Sequence, residues 1–337
     1  MRRKLRAVLA GAGSISKVWL EALSHRSDIA VAAVVDPVRE NAARRMGEYH
    51  LDARYYPVLE AAFEADTFDV LLDCSIPKAH FGNAICALAH GCHVLSEKPV
   101  AESTDQVREL IAAAAAAGRI HAVIQNRRYQ NEIVTFQQAV ARRIGQLTTL
   151  DADFYLGAHF GGFRDLMEHV LLLDMAIHTF DQARLISGCD PVKVFCREWN
   201  PIGSWFRHGA SAVAVFTMTG GVVFTYRGSW CAEGCSTSWE CDWRAVGTEG
   251  SARWIHDRIF GETVAARGGF HDVVKPFIPR LRHLKFTGHA GCIDEFLHCV
   301  KRGGTPQTAS SDNIRSFAMV EGAIRSAETG KEVLITI

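Results

Sequence analysis

Leu5-Arg6-Ala7-Val8-Leu9-Ala10-Gly11-Ala12-Gly13-Ser14-Ile15-Ser16 is the stretch on which the fold of this chain turns. Leu5–Ala10 is a short, nearly continuous apolar run ended by glycine, as expected of a strand buried in a parallel sheet. A helix is expected at once behind it, near Ile15–Ser24. Between the two, Gly11 permits a tight turn and Gly13 lets the backbone approach a pyrophosphate. Ser14 and Ile15 complete the turn at the helix N-terminus, which favours that negative charge. Ser16 holds the third position of the fingerprint, where glycine or alanine is usual, and is still small enough for close helix–strand packing.

Asp36 ends the next expected strand, Ala30–Val35, 23 residues after Gly13. A carboxylate there accepts from both ribose hydroxyls and repels a 2′-phosphate, which favours NAD. Arg39, one turn on, reaches a 2′-phosphate if Asp36 swings away, so NADP stays possible. Further strands are expected at Val70–Cys74, His93–Ser96 and Ile120–Gln125, with helices at Arg39–Tyr49, Phe81–His90 and Thr104–Ala117. The last of these ends in six alanines, Ala112–Ala117, stopped by Gly118, which is helix-forming chemistry with a glycine cap. Residues 1–125 therefore read as a nucleotide-binding α/β domain on a doubly wound parallel sheet.

Beyond about residue 147 the pattern changes. A long helix, Asp165–Ser187, is expected before strands at Val192–Trp199, Ala210–Met218, Val222–Trp230, Ser238–Val246 and Ala252–Ile255. Glycine-containing turns separate most of them, as in an antiparallel meander. Helices near Cys292–Arg302 and Asp312–Thr329 precede a final strand, Glu332–Ile337. Residues 126–337 thus read as an α+β domain on an open, mainly antiparallel sheet, whose last segment can pack back on the first domain. The cleft between the two is the default place for a site.

The bulk properties exclude several classes of partner. The 337 residues carry 37 basic and 37 acidic side chains, so no electrostatic footprint for nucleic acid or an anionic membrane is present. The basic start, Met1-Arg-Arg-Lys-Leu-Arg, is followed by an apolar run that breaks at Gly11, too soon for a secretory leader. No apolar stretch approaches a membrane span. Among ten cysteines, Cys74, Cys86 and Cys189 read as small core residues of a reducing, cytoplasmic compartment. Cys231, Cys235 and Cys241 lack zinc-ligand spacing, and no metal is expected.

Three further segments carry a family likeness: Ser75-Ile-Pro77-Lys-Ala-His80, Gly91-Cys-His-Val-Leu-Ser-Glu97-Lys98-Pro99 and Asp174-Met-Ala-Ile-His178-Thr-Phe-Asp181. With the N-terminal glycines they resemble the glucose–fructose oxidoreductase/inositol dehydrogenase/MocA family, in order along nearly the whole chain to Ser326-Ala-Glu-Thr-Gly330. The resemblance implies a Rossmann domain, an open sheet that often forms a subunit interface, a nicotinamide cofactor, and sugar or inositol substrates. It also implies that Ser75, Pro77 and His80 line the cofactor and that Glu97 neighbours the nicotinamide ribose. Many relatives have a glycine-rich lead-in to the Asp174 helix, where this chain reads Asp165-Leu-Met-Glu-His-Val-Leu-Leu-Leu.

Interconverting an alcohol and a carbonyl requires a proton carrier and a donor near the oxygen. Asp174 and His178, four apart, share a helix face, and imidazole suits proton exchange near neutrality. His178 is assigned as proton acceptor and Asp174 as its orienting partner and a substrate ligand. Lys98, placed by Pro99 at the carboxyl edge of the sheet, can donate to the reacting oxygen or itself carry the proton. Asp181 reads as supporting structure. Arg128, His159, Arg164 and His169 are further candidates for contact with substrate, and Trp230 and Trp239 for an apolar sugar face.

The leading expectation is an NAD(P)-dependent dehydrogenase or reductase of a sugar, inositol or related polyol. A glycosidase that retains NAD and a non-catalytic nucleotide-binding regulator are the competing classes, and the Lys98, Asp174, His178 set speaks against the latter. Strands rich in Val, Phe and Trp leave a sheet face to cover, so a homodimer or homotetramer is expected.

Overall fold

The computed structural model describes residues 3–337, so Met1 and Arg2 of the basic start lie outside the described residues. In chain order come β1 (Leu5–Ala10), α1 (Ser16–Ser24), β2 (Ile29–Val35), α2 (Arg39–Glu48), β3 (Arg54–Tyr56), α3 (Leu59–Ala65), β4 (Val70–Asp73), α4 (Pro77–Ala89), β5 (His93–Ser96), α5 (Thr104–Ala117) and β6 (His121–Val123). They continue with α6 (Asn131–Arg143), β7 (Leu147–Tyr155), α7 (Ile177–Ser187), β8 (Pro191–Trp199), β9 (Ser211–Met218), β10 (Val223–Ser229), β11 (Asp242–Gly247) and β12 (Gly250–Ile255). Last are β13 (Arg258–Ala266), β14 (Val273–Phe277), α8 (Gly288–Arg302), α9 (Ser310–Thr329) and β15 (Val333–Leu334). Two compact units result: residues up to Asn126 with Lys285–Ile314, and Arg127–Leu284 with Arg315–Ile337.

The first unit holds a six-stranded parallel sheet in the order β3-β2-β1-β4-β5-β6, the doubly wound order expected. Ala7, Val8 and Leu9 at its centre are fully buried, which explains why β1 reads as a continuous apolar run. Strand order reverses between β1 and β4, so their carboxyl ends form the switch point at which such sheets bind ligands. The alanine-rich α5 is capped by Ser103, which accepts from Gln106 N, and closes at Gly118 in the left-handed region with φ 60°.

The second unit holds a nine-stranded sheet, β14-β13-β12-β11-β7-β10-β9-β8-β15. It is antiparallel except where β7 runs parallel to β10. Phe180 of α7 meets Phe216, Tyr226 and Phe224 edge-on at 4.9, 5.4 and 6.2 Å, so this helix is packed into the sheet's inner face. Beside it, Arg128 grips Asp181 with Nε and Nη2, both at 2.7 Å, and Ser316 Oγ donates to the same carboxylate. A buried carboxylate so bracketed keeps its charge compensated.

The structure departs from the sequence reading at several elements, beginning with β3, α3 and α6, which the sequence reading lacks. Strands β7, β13 and β14 are additions: Asp151 and Asp153 disguise β7, and Pro276 marks β14 as a sheet edge. The expected final strand shrinks to Val333–Leu334 on β8, while the stretch that rejoins the first unit is Lys285–Ile314. The helix expected over Asp165–Ser187 is broken. A 3-10 turn, Gly162–Leu166, is followed by a π-helical turn, Leu171–Ala176, that runs into α7.

His169 is the physical cause of that break. Its φ of 50° lies in the left-handed region, which a glycine enters freely and a histidine enters at a cost. Two carboxylates offset the cost: Nδ1 lies 2.5 Å from Glu198 of β8, and Nε2 lies 3.6 Å from Glu328 of α9. The hydrogen bond to Glu198, helped by the charges of Glu198, Glu328 and Glu168 and opposed by burial, raises the pKa of His169 above its ordinary value. The imidazolium is therefore worth more to the folded chain than to the unfolded one. That stability is fully present below the unfolded pKa of about 6.5 and is lost as pH rises through the folded value. His169→Asn keeps a residue tolerant of positive φ and removes the titrating ring. Thermal unfolding should show the variant most destabilised near pH 5–6, with the gap closing toward pH 9; a gap independent of pH would refute the clamp.

Candidate active site

The turn after β1 is built by close approach. Gly11 has φ 85°, and a Cβ added to it would stand 2.5 Å from the carbonyl oxygen of Cys74, so glycine is required on two counts. An added Cβ on Gly13 would meet nothing within 4 Å, leaving that backbone open to a bound group. Ser16, at the start of α1, is fully buried and donates from Oγ to Gly13 O at 2.7 Å. Arg45 of α2 reaches the same carbonyl with Nη2 at 3.0 Å and Nε at 3.3 Å, and touches Ser16 Oγ at 3.2 Å. The serine that departs from the fingerprint is thus half of a brace, and it puts a guanidinium behind the turn carrying Ser14 and Ile15. Sequence reasoning missed Arg45 because its partner lies 32 residues away.

Asp36 sits at the end of β2 and is nearly buried. Its Oδ2 accepts from Ala12 N and its Oδ1 from Val38 N, both at 2.8 Å. Two backbone donors hold the carboxylate in place, Asn41 Nδ2 adds a long contact to Oδ1 at 3.5 Å, and Oδ2 keeps a lone pair for a further donor. Arg39 rests over the ring of Tyr55 at 5.6 Å. The swing of Asp36 that NADP would need has to break both backbone bonds.

At the end of β4, Ser75 donates to the wholly buried Asp73, whose carboxyl burial pushes above the usual range. Pro77 opens α4 at its first turn, where a missing N–H costs nothing. His80 is buried with Nδ1 2.7 Å from Pro99 O and Nε2 3.1 Å from Ser75 O. Its ring therefore ties the β4 loop to the cis Lys98–Pro99 turn after β5 rather than presenting a nitrogen to solvent. Glu97 accepts from Trp19 Nε1 at 2.9 Å and lies 3.6 Å from His289 Nε2 of α8. Burial works to raise its carboxyl, yet the hydrogen bonds from His289 and Trp19, with Lys98 beside them, outweigh burial and hold it below the usual range. Trp19 and His289 were not foreseen; His289 stands 192 residues from Glu97, beyond any local signal.

In the second unit, Asp174 lies inside the π-helical turn and His178 in the first turn of α7. The pair is thus spaced by a widened turn rather than by the plain α-helical one expected, a feature frequent at functional positions. Asp174 Oδ2 accepts from Arg164 Nε at 2.6 Å, and His178 is buried. Of the other candidates, Arg128 is committed to Asp181 and His169 to Glu198 and Glu328. His159 is exposed, stacked on Trp205 at 3.7 Å and bonded to Glu233 at 2.8 Å. Trp230 is core, while Trp239 is half exposed beside Phe160. Lys98 and all the residues expected around the cofactor belong to the first unit; Asp174, His178 and Arg164 belong to the second.

Chemically, the first unit offers an open backbone turn, a fixed carboxylate and a lysine beside a proline turn, a set that fits a dinucleotide. The second offers an acid, an imidazole and a guanidinium within one short segment, a set that fits proton exchange with a polar substrate.

Comparison with known proteins agrees with both halves. The profile of the Gfo/Idh/MocA oxidoreductase family, NAD-binding Rossmann fold, matches residues 5–125, and that of the Gfo/Idh/MocA C-terminal domain matches residues 133–253. The inositol 2-dehydrogenase of Rhizobium meliloti is 23% identical over 342 residues, covering 97% of this chain and 98% of that protein. The D-glucoside 3-dehydrogenase of Escherichia coli is 29% identical over 196 residues, 56% of each chain. Among solved structures, an oxidoreductase from Agrobacterium radiobacter in complex with NAD+, L-tartaric acid and magnesium superposes with a TM-score of 0.87 at 21% identity, covering 99% of both chains. That likeness shows the fold, and the two profiles, one on each unit, establish that this chain belongs to the Gfo/Idh/MocA family of oxidoreductases.

Proposed function

We propose that this protein is an NAD-dependent dehydrogenase or reductase acting on a hydroxyl-bearing or carbonyl carbon of a sugar, inositol or related polyol. The observation that carries the reading is Asp36, pinned at 2.8 Å by the N–H groups of Ala12 and Val38. A carboxylate so fixed serves the two ribose hydroxyls of NAD and opposes a 2′-phosphate. The named activities of the relatives, an inositol 2-dehydrogenase and a D-glucoside 3-dehydrogenase, support a polyol substrate.

On this reading Gly11, Gly13, Ser14 and Ile15 cradle the pyrophosphate, with Arg45 adding positive potential behind them. Ser75, Pro77 and the Glu97 carboxylate flank the remainder of the dinucleotide. When bound, the nicotinamide supplies two-electron hydride chemistry. The chain's own residues handle the proton and the oxygen. Lys98 Nζ donates to the reacting oxygen and stabilises alkoxide character, and His178 exchanges the hydroxyl proton. Asp174 orients the substrate and supports the imidazolium.

The second unit also leaves apolar side chains on the outer face of its sheet. Phe195 and Val215 are direct cross-strand neighbours, and Trp199 and Val223 are likewise exposed. Covering such a face returns roughly 25 cal/mol per Å² of apolar area, and we infer a homodimer or homotetramer through this sheet.

Three measurements test these statements. Wild-type protein should bind NAD more tightly than NADP, and Asp36→Ser should weaken NAD by about tenfold or more, the worth of a charge-assisted hydrogen bond. Equal or reversed wild-type dissociation constants overturn the cofactor assignment. On a substrate found by screening polyols with NAD, His178→Ala should lower turnover by about 10²–10⁴-fold, and Lys98→Met by at least as much, with NAD affinity near native. Retention of more than about a third of turnover lies far outside that range and ends the catalytic assignment. Light scattering on the purified protein at micromolar concentration should report a dimer or tetramer; a monomer would refute the interface.

A further inference from the structure

We propose that Arg164 is a ligand for a carboxylate on the substrate, so that the preferred substrate is a sugar acid, of the uronate or aldonate class, rather than a neutral polyol. The inference rests on the dehydrogenase reading above and narrows it.

Arg164 lies in the 3-10 turn Gly162–Leu166, two residues after Gly162, and the φ values of 67° and 69° at Gly161 and Gly162 let the chain reverse there. Its guanidinium carbon stands 5.0 Å from the ring centroid of Phe160 and 4.8 Å from that of Phe163. The faces of these rings attract the cation and hold the guanidinium in place. Only Nε is in use, donating to Asp174 at 2.6 Å. Among the described residues, Nη1 and Nη2 donate to nothing, although the side chain is only one third exposed. An arginine presents five N–H donors in a rigid fork matched to a planar oxyanion. Here one donor is spent on Asp174, and the Nη donors remain for a ligand.

The position of the fork makes the ligand substrate. Asp174 is the residue to which Arg164 is bonded, and it precedes His178 by four positions on the same segment. A group held by the Nη donors is therefore held next to the residues that we assign to the chemistry. Charge decides between oxyanions. Arg164 already balances Asp174, so an arriving ligand adds its own charge beside a carboxylate. A carboxylate brings one negative charge, whereas a phosphoryl group brings nearly two and meets more repulsion. In the reaction the substrate carbon gives up a hydride to NAD and its hydroxyl gives up a proton to the chain's base, leaving a ketone and NADH. The carboxylate stays unchanged and only fixes orientation.

The test compares matched substrates: D-glucuronate, D-galacturonate and D-gluconate, the methyl esters of the two uronates, the parent neutral sugars, and the 6-phosphates, each with NAD and read as reduced nicotinamide. For at least one acid with its ester or parent, wild-type kcat/KM should favour the acid by about tenfold or more, as a charge-assisted hydrogen bond supplies. Arg164→Met should collapse that ratio by about ten- to a hundredfold, mainly through KM for the acid, with NAD affinity unchanged. Arg164→Lys, which keeps the charge without the fork, should restore it only in part. An Arg164 that merely held Asp174 in place would lower acid and ester alike, leaving the ratio as in the wild type, and that result overturns the inference. Neutral sugars or 6-phosphates turned over better than every acid overturn it as well. No turnover of any compound, acid or neutral, by protein that binds NAD counts against the dehydrogenase reading itself, and this inference falls with it.

Discussion

The main chain at the end of β1 passes the main chain leaving β4 so closely that nothing larger than hydrogen fits at residue 11. A Cβ there would overlap the Cys74 carbonyl, at 2.5 Å. From this contact the nucleotide half follows. It lets Cys74 N reach Ala10 O at 2.7 Å while Gly11 N reaches Val35 O at 2.8 Å, so three strand ends are tied at one point. Ala12 N then meets Asp36, Gly13 O meets Ser16 and Arg45, and Ser75 starts the next loop within the same small volume. Geometry set by backbone approach, not by any single side chain, decides where a phosphate can be received.

The second unit shows how a family pattern is altered without being lost. Where the resemblance leads us to expect glycines before the Asp-x-x-x-His segment, this chain has Glu168-His169-Val170 and places His169 in the left-handed region. Two acidic partners from β8 and α9 replace the freedom that glycine would have given. The brace under Gly13 follows the same logic in the first unit: a serine in place of a smaller residue, with an arginine added to hold it. In both places a departure in sequence is matched by a polar contact from a distant element, which is the behaviour expected when local preference and global fold must agree.

How much could be read in advance follows from how far apart the interacting residues lie. The parallel sheet was legible because five of its six strands lie in short apolar runs bounded by turn residues, and because Gly11, Gly13 and Asp36 act within one βαβ unit; the edge strand β3, Arg54-Tyr55-Tyr56, has no such run and was not. β7 was not, since Asp151 and Asp153 on its outer face look like a turn, and only Leu150, Ala152 and Phe154 between them betray the strand. Asp174 and His178 were legible as a spaced pair, but the π-helical turn between them and the hydrogen bond from Arg164 are properties of packing. The partners of Glu97, one on α1 and one on α8, had no sequence signal at all.

The order in which the chain leaves the ribosome gives the return of Lys285–Ile314 to the first unit a meaning of its own. Arg26 is bridged to Asp294, Asp28 to Lys301 and Glu97 to His289, so three contacts of the nucleotide half draw on α8. A nascent chain of 126 residues has made every strand of the parallel sheet and none of these partners. The second unit has to be synthesised nearly to completion before Glu97 acquires His289. Domains that are continuous in sequence fold as they emerge, one after the other. Here the nucleotide half is finished late, and a fragment cut at Asn126 carries the sheet with an exposed α1 surface and a half-partnered Glu97.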